Sequence, residues 1–517
     1  MLPGATIYLR GGVYKGRFTS NLQGTQSAPI TVRSKPGEYA TLDMYLTTPL
    51  NGSISSSATT LILTSGAGFS TSDVVVIGTE QILLGTKSGN TFTGCSRGWN
   101  GTTIVSHTSG DSVLISGNTL TIEGHDVNFM DFRVTDSDPT RVDVRNDANH
   151  FYRFSGVWHD GPRTNLINMV IDNHGTGVFS TINSVDSTFY GSLFYNNGFV
   201  LATGQPHGHG WYIQNNTGTK TFAENLTFNN FVFGGQEESD HGNTINMANR
   251  GIVVFNNPFL LGTTSATADN CSIDSSYFFE NGITGLRAGY QGTDNRAIAI
   301  TNNYFGGVSS NVVQVTLWKS VTFTGNTMTV SGANDSTRAV YLDRTLGGTF
   351  TWNRNTYYDQ SNTQNCAGGS FRGPFNYSGS TGACGGTLKY AEWQTASGLD
   401  TTGSTYSQSV APDLVVVRPN SYQAGRANVI IYNWSHASSV SVNLSTAGLT
   451  NGQAFEIRNA QNYFGTTLYS GTYNSSSPTV SLSMTSAAAT TVEQPIGYNL
   501  GRPTTLPTFG ALVVVPR

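Results

Sequence analysis

Charge is scarce in this chain. Only 11% of its 517 residues are Asp, Glu, Lys or Arg, well under the roughly one quarter usual in soluble domains. Lysine is the scarcest cation, with six against 21 arginines. A net charge of −4 with no basic stripe argues against nucleic-acid binding. The four cysteines include no pair with metal-site spacing. Cys366 and Cys384 flank a Gly/Ser-rich loop and are a candidate disulfide, whereas Cys95 and Cys271 read as single buried thiols. No apolar run approaches the ~20 residues of a membrane span, and no segment sustains an amphipathic helical pattern. A signal peptide is also missing. The chain opens at Met1-Leu-Pro-Gly-Ala-Thr-Ile-Tyr-Leu-Arg10, already strand-like, so an upstream leader, trimmed or not captured in this sequence, and a secreted or extracellular protein are expected.

What is abundant is glycine (60 residues), with Ser, Thr and Asn, while aromatics reach 11%. That aromatic content excludes disorder and suits a β-rich protein with many tight turns. Six segments align as equivalents: Gly156-Val-Trp-His-Asp160, Gly177-Val-Phe-Ser-Thr181, Gly210-Trp-Tyr-Ile-Gln214, Thr244-Ile-Asn-Met-Ala248, Gly285-Leu-Arg-Ala-Gly289 and Ala339-Val-Tyr-Leu-Asp343. A weaker seventh, Val312-Val-Gln-Val-Thr316, fits among them. Between them runs an Asn refrain: Asp172-Asn173, Asn196-Asn197, Asn229-Asn230, Asn256-Asn257, Glu280-Asn281, Asn302-Asn303 and Gly325-Asn326. Steps of roughly 21 to 41 residues at one phase are a solenoid signature. With period-two strands the solenoid is a right-handed parallel β-helix, in an all-β chain.

The pattern divides the chain. Residues 1–49 read as the first coil, with strands at 6–10 and 30–33. Residues 50–117 break the refrain with short β runs and glycine turns, and read as a small inserted β module. The solenoid occupies 118–387. A linker at 388–410 carries the best local helical pattern, Leu388-Lys-Tyr-Ala-Glu-Trp-Gln-Thr-Ala396. Residues 411–517 alternate around turns and read as a terminal β-sandwich.

The opening Pro3-Gly-Ala-Thr-Ile-Tyr-Leu-Arg-Gly-Gly-Val-Tyr-Lys-Gly16, followed by Ser27-Ala-Pro-Ile-Thr-Val-Arg-Ser-Lys-Pro-Gly-Glu38, resembles the first coil of secreted right-handed parallel β-helix proteins. That group includes chondroitinase-B-like and alginate-lyase-like polysaccharide lyases. His207-Gly-His-Gly-Trp-Tyr-Ile-Gln-Asn-Asn216 and Ala391-Glu-Trp-Gln-Thr-Ala-Ser-Gly-Leu-Asp400 resemble elements of bacterial and environmental relatives. The resemblance implies a fold and a polysaccharide partner. It does not carry a reaction, because the Lys/Arg acid–base pair of the chondroitinase-B-like lyases has no matching position here.

Alternation along each rung sorts residues into faces. With Val157, Val178, Trp211, Ile245, Leu286, Val313 and Val340 inward, the outward row reads Trp158, Phe179, Tyr212, Asn246, Arg287, Gln314 and Tyr341. A second outward row contains Asp160 and Gln214, and glycines two residues back clear one edge. Rings that stack on sugar faces, with amides and one arginine for hydroxyls and carboxylates, suit a saccharide groove; cover by a neighbouring module is the alternative. His174, His207, His209 and His241 each precede a rung and are expected to gather at one edge. Imidazole suits acid–base work, though these histidines could instead cap turns, or the HxH pair could bind zinc. Glu237-Glu238 and Asp240 lie just before His241, as a solvated turn or a carboxylate pair.

Three functions follow. In a lyase, His209 or Tyr212 removes the C5 proton of a uronate, Arg287 neutralises its carboxylate, and Gln214 and Asn246 position it. His207, His241 and Glu237 are further catalytic candidates; Trp158, Asp160, Phe179, Gln314, Tyr341 and His174 are candidate substrate contacts. In a hydrolase, two carboxylates among Asp160, Glu237, Glu238 and Asp240 would flank the bond at about 5 to 9.5 Å. The third is a non-catalytic binding or phage-tail-like adhesive role. No cofactor is implied outright, and Ca²⁺ stays open because oxygen ligands leave no fixed spacing. Oligomeric state has no signature.

Overall fold

The computed structural model describes residues 1–143, 153–238, 243–264, 266–280, 284–290, 292, 294–307, 311–330, 338–360, 374–378 and 387–517. Among these, most strands gather into three long sheets of 13, 12 and 12 strands. One coil shows the plan: Thr164–Ile167 enters the first sheet, Val170–Asp172 the second and Thr176–Ser180 the third. Pairing between coils is parallel, as in Val157↔Val178↔Trp211. The expected right-handed parallel β-helix is therefore the fold. Its interior is one continuous apolar core from Ile30 to Leu399.

The Asn refrain has a physical cause. The residue before each inward position turns the chain with positive φ: Asn196 (56°), Asn229 (53°), Asn256 (53°) and Asn302 (56°), and likewise Asn173 (65°), ahead of His174. Asn accepts this conformation through its short side chain. The second residue of each Asn-Asn pair points into the coil and bonds its counterpart on the next turn. Asn197 Nδ2 donates to Asn230 Oδ1 at 3.0 Å, and Asn303 Nδ2 to Asn326 Oδ1 at 3.0 Å. Each amide oxygen also accepts a backbone N–H of the preceding coil, as Asn230 Oδ1 does from Asn197. The inner amides thus satisfy backbone N–H groups of the buried turns.

Residues 44–116 carry two antiparallel sheets and their own core around Leu61, Phe69, Phe92 and Val113. Arg97 holds Glu80 with two bonds of 2.7 and 2.8 Å, and His107 adds a third at 2.9 Å. These bonds hold the Glu80 carboxyl at about 2 against its burial. After the solenoid, helix Tyr390–Ser397 plugs the end of the coil with the buried Trp393. Five strands from Leu414–Pro419 to Phe509–Pro516 then form an antiparallel sheet. One face packs on the paired strands Ser439–Asn443 and Thr479–Ser483. The other lies on the second sheet of the helix, with Tyr432, Trp434 and Phe509 against Phe255 and Phe279. Arg418 bridges back to Glu224 through two bonds of 2.6 Å.

Cys95 and Cys271 are buried free thiols; Cys366 and Cys384 lie outside the described residues. Among the described residues no helix is long and apolar enough to cross a membrane.

Candidate functional site

The third sheet corrects the rung alignment. After Trp211 the next rungs are Phe233–Glu237 and Phe259–Leu261, and only then Leu286–Ala288. The segment 244–248 belongs to the first sheet instead. There Asn246 turns the chain (φ 53°) between Thr244–Ile245 and Met247–Arg250. Its amide donates to Gly218 O at 2.8 Å and accepts from Asn270, so Asn246 is no member of the strip, and Ile245 is half-buried rather than core. The true rung was illegible because glycine holds its inward site. A Cβ at Gly235 would stand 2.5 Å from the Trp211 ring, which fills the space an aliphatic residue takes elsewhere.

The outward row on the third sheet is therefore Trp158, Phe179, Tyr212, Gln236, Leu260, Arg287, Gln314, Tyr341. Trp158 and Phe179 stack with centroids 4.7 Å apart and planes within 6°; Phe179 and Tyr212 are 5.0 Å apart at 21°. Rings this close admit no sugar between them. What the ladder offers is ring edges and the end face of Trp158, beside the smaller Thr121. The glycine row also does something other than clear an edge. A Cβ at Gly210 would meet Gly234 O at 2.2 Å and Thr227 Oγ1 at 2.5 Å, so these glycines let neighbouring coils close.

A cleft of about 440 Å³ opens on this ladder. Trp158, Phe179 and Tyr212 line it with Asn118, Phe154, Ser155, Thr176 and His209. Ser155 and Thr176 pair at the head of successive rungs; their small side chains leave room that His209 closes one coil later. His209 is 6.2 Å from Tyr212 and 5.6 Å from Phe233, ring to ring. Burial, then the neighbouring His207, lowers the His209 imidazole to about 3, so it is neutral near pH 7. Its Nδ1 is enclosed without a hydrogen-bond partner among the described residues. His207 stacks on Phe199 at 5.5 Å in a small lateral sheet formed by the 199–207 hairpin and Val142–Asp143. The histidine-bearing loop does project, as its length implied. Burial lowers the His207 imidazole as well.

Several candidates lie elsewhere. Arg287, Gln314 and Tyr341 share the outward row but start three coils beyond Tyr212, roughly 14 Å at the usual strand spacing. The Arg287 guanidinium lies 5.4 Å over the Tyr290 ring. One uronate cannot touch both Tyr212 and Arg287, so the two do not serve as base and cation on one sugar. His174 is buried in the ladder position that Asn197 holds one coil later; its backbone N–H donates to Asn197 Oδ1 at 3.0 Å. Burial, with Arg153 and Arg141 nearby, keeps its imidazole uncharged, so it contacts no substrate. Glu237 points into the core, fully enclosed, where Asn249 Nδ2 donates to it at 2.8 Å. Burial pushes its carboxyl up to about 8, which removes it from the catalytic candidates. Glu238 accepts from Gln236 at 2.7 Å. Asp160 accepts from Thr181 and, at 3.0 Å, from Asn183, outside the cleft. Gln214 is half-buried on that flank, and its carbonyl accepts from Lys220 at 2.7 Å. Asp240 and His241 lie outside the described residues. Asn118, Phe154, Ser155 and Thr176 were not anticipated, since none carries a motif.

Among the described residues no three His, Cys, Asp or Glu side chains converge to hold a metal. No protein-family model matches the sequence, and no curated protein matches it. Solved structures do. The pectate lyase Pel9A is 14% identical, covering 69% of this chain and 66% of its own, with a TM-score of 0.33. An alginate lyase from Paenibacillus sp. str. FPU-7 is 14% identical over 68% of this chain and 91% of its own, with a TM-score of 0.34. XylC, in complex with xylose, covers 100% of this chain and 95% of its own at 8% identity, with a TM-score of 0.40. This chain spans about two thirds of the pectate lyase, and the likenesses concern the fold.

Proposed function

We propose that this protein binds an acidic polysaccharide in the cleft on its third sheet and cleaves it by β-elimination. The observation that carries the reading is the His209–Tyr212 pair, 6.2 Å apart within an aromatic-walled cavity large enough for sugar units. In this reaction the neutral His209 imidazole takes the C5 proton. The C4–O bond breaks as C4=C5 forms, and the Tyr212 hydroxyl supplies the proton to the departing oxygen. His209 is a weak base in the free protein. The carboxylate of an entering uronate raises its pKa by charge attraction. The carboxylate itself needs a partner, because charge spreads into it as the proton leaves. We assign that role to the Asn118 amide at the cleft wall, and Arg287 to a sugar further along the strip.

The hydrolase reading loses support. It needs two carboxylates across the bond, and among the described residues that line the cleft none is Asp or Glu. A binding role without cleavage draws support from the same ladder and from the separation of Arg287 from Tyr212. The test is a panel of alginate, pectate, glycosaminoglycans and neutral glycans. β-Elimination gives an ultraviolet absorbance rise from the new conjugated double bond, abolished in Tyr212→Phe. New reducing ends without that rise, or retention without products, would overturn the lyase assignment.

A further inference from the structure

Away from this cleft, a cavity of about 350 Å³ lies between the first coils and the C-terminal sheet. Arg426 lines it, just ahead of strand Ala427–Tyr432. This side chain is unusual for a cation. The residue is only 6% exposed, and its Nη2 is enclosed without an acceptor. Among the described residues its one hydrogen bond to a side chain is a 3.5 Å contact from Nη1 to the Tyr463 hydroxyl. A buried guanidinium normally keeps a carboxylate beside it, since an unpaired buried charge is costly.

The other cations at this cavity are already paired. Arg33 bonds Asp131 at 2.6 Å, Lys35 bonds Glu38 at 3.0 Å, and Arg458 bonds Glu456 at 2.8 Å. Arg426 thus keeps a donor to spare, as does Arg33 at Nε, and Asp131 attracts Arg426 without a hydrogen bond to it. The rim is aromatic. Tyr39 is 40% exposed and Phe464 36% exposed, with ring centroids 5.8 Å apart; Tyr463 meets Phe464 edge-on at 5.1 Å. Large exposed rings beside a cavity mark a ligand surface more than a solvent surface.

We propose that this cavity binds a carboxylate-bearing pyranose, a uronic acid unit. The carboxylate meets Arg426, and the sugar ring packs on Tyr39 and Phe464. Arginine recognises carboxylates with paired, charge-assisted hydrogen bonds, and the aromatic rim selects a sugar over a bare anion. The inference extends the acidic-polysaccharide reading to a second site and does not rest on cleavage at the first.

The experiment is calorimetric titration of the full chain with D-galacturonate, D-galactose and acetate, in wild type and in Arg426→Met, Phe464→Ala and Tyr212→Phe. Galacturonate is expected to bind saturably, at least about tenfold tighter than either control, as for one charge-assisted contact. Phe464→Ala should weaken this tighter component several-fold and Arg426→Met should remove it, while Tyr212→Phe, whatever it does to binding at the cleft, leaves this component in place. If Arg426→Met does not fold, the partly exposed Phe464 decides. Equal affinity for galactose, equal affinity for acetate, or no change in Phe464→Ala overturns the proposal. Loss of this component in Tyr212→Phe alone assigns it to the cleft and also overturns the proposal.

Discussion

Among the described residues two aromatic ladders climb the outside of this solenoid, one covered and one open. On the second sheet Tyr195, Phe228 and Phe255 stack at 5.0 and 4.6 Å with planes within 12°. On the third sheet Trp158, Phe179 and Tyr212 stack at 4.7 and 5.0 Å. Ring-on-ring stacking at the coil spacing is the same in both. The difference lies at the ring edges. The first ladder is buried beneath the C-terminal sheet, with Phe509 against Phe255 and Phe279 and the Tyr195 hydroxyl donating to Glu493 at 3.2 Å. The second borders a cleft and a histidine. A ladder alone is therefore a building element, and its function depends on what stands beside it.

The largest effect should fall on the covered ladder. Phe228→Ala is expected to destabilise the fold by about 3 to 5 kcal/mol, read by denaturant unfolding, because both faces and edges of that ring are enclosed. Trp211→Ala, inside the coil against Phe194, Phe222 and Phe259, belongs to the same class. A loss below about 1 kcal/mol at Phe228 would mean that the terminal sheet does not depend on the ladder.

Next come the residues beside the open ladder. Tyr212→Phe and His209→Ala should each lower turnover at least about tenfold, as for a lost acid–base group, with little change in the thermal midpoint. Equal loss of folding and activity would make them architectural, like their counterparts on the second sheet. Phe179→Ala, half-buried, should cost roughly 1 to 2 kcal/mol of stability yet weaken polysaccharide retention measurably. If it costs as much as Phe228→Ala, the two ladders do not differ as described.

A further effect, separate from the ladders, concerns pH. Burial raises the Glu237 carboxyl to about 8 from 4.5. Between those values the unfolded chain releases a proton that the folded chain keeps. Stability is therefore full below about pH 4.5 and declines as pH rises towards about 8. Glu237→Gln should remove that decline, measured as the mutant-minus-wild-type difference in thermal midpoint across this range. A difference that does not vary with pH would show that Glu237 ionises freely in the folded protein.

Much of the architecture was legible because solenoid physics repeats. The Asn refrain, the Trp158–Phe179–Tyr212 register and the helix at Trp393 could all be read from spacing. The errors arose where a coil departs from its neighbours. Gly235 holds an inward site with no side chain, so its rung lacks the apolar–polar alternation that 244–248, in another sheet, shows. His174 replaces an asparagine in the inner ladder, and a phase shift of one residue made it look solvent-facing. Glu237 follows Gly234-Gly-Gln236 and reads as a polar turn, although strand alternation points it inward. Asn118, Ser155 and Thr176 carry no motif; only the third dimension brings them to the cleft. Arg426 was illegible for a related reason, since the absence of a partner is a property of space and not of order along the chain.

The most direct measurement is a crystal structure of the Tyr212→Phe chain soaked with an acidic oligosaccharide that the wild type retains or cleaves. Sugar density should run along the edges of Trp158, Phe179 and residue 212, with a uronate C5 beside His209. Density confined to the Arg287–Gln314–Tyr341 stretch, or a cleft left empty by a ligand the protein binds in solution, would contradict the account.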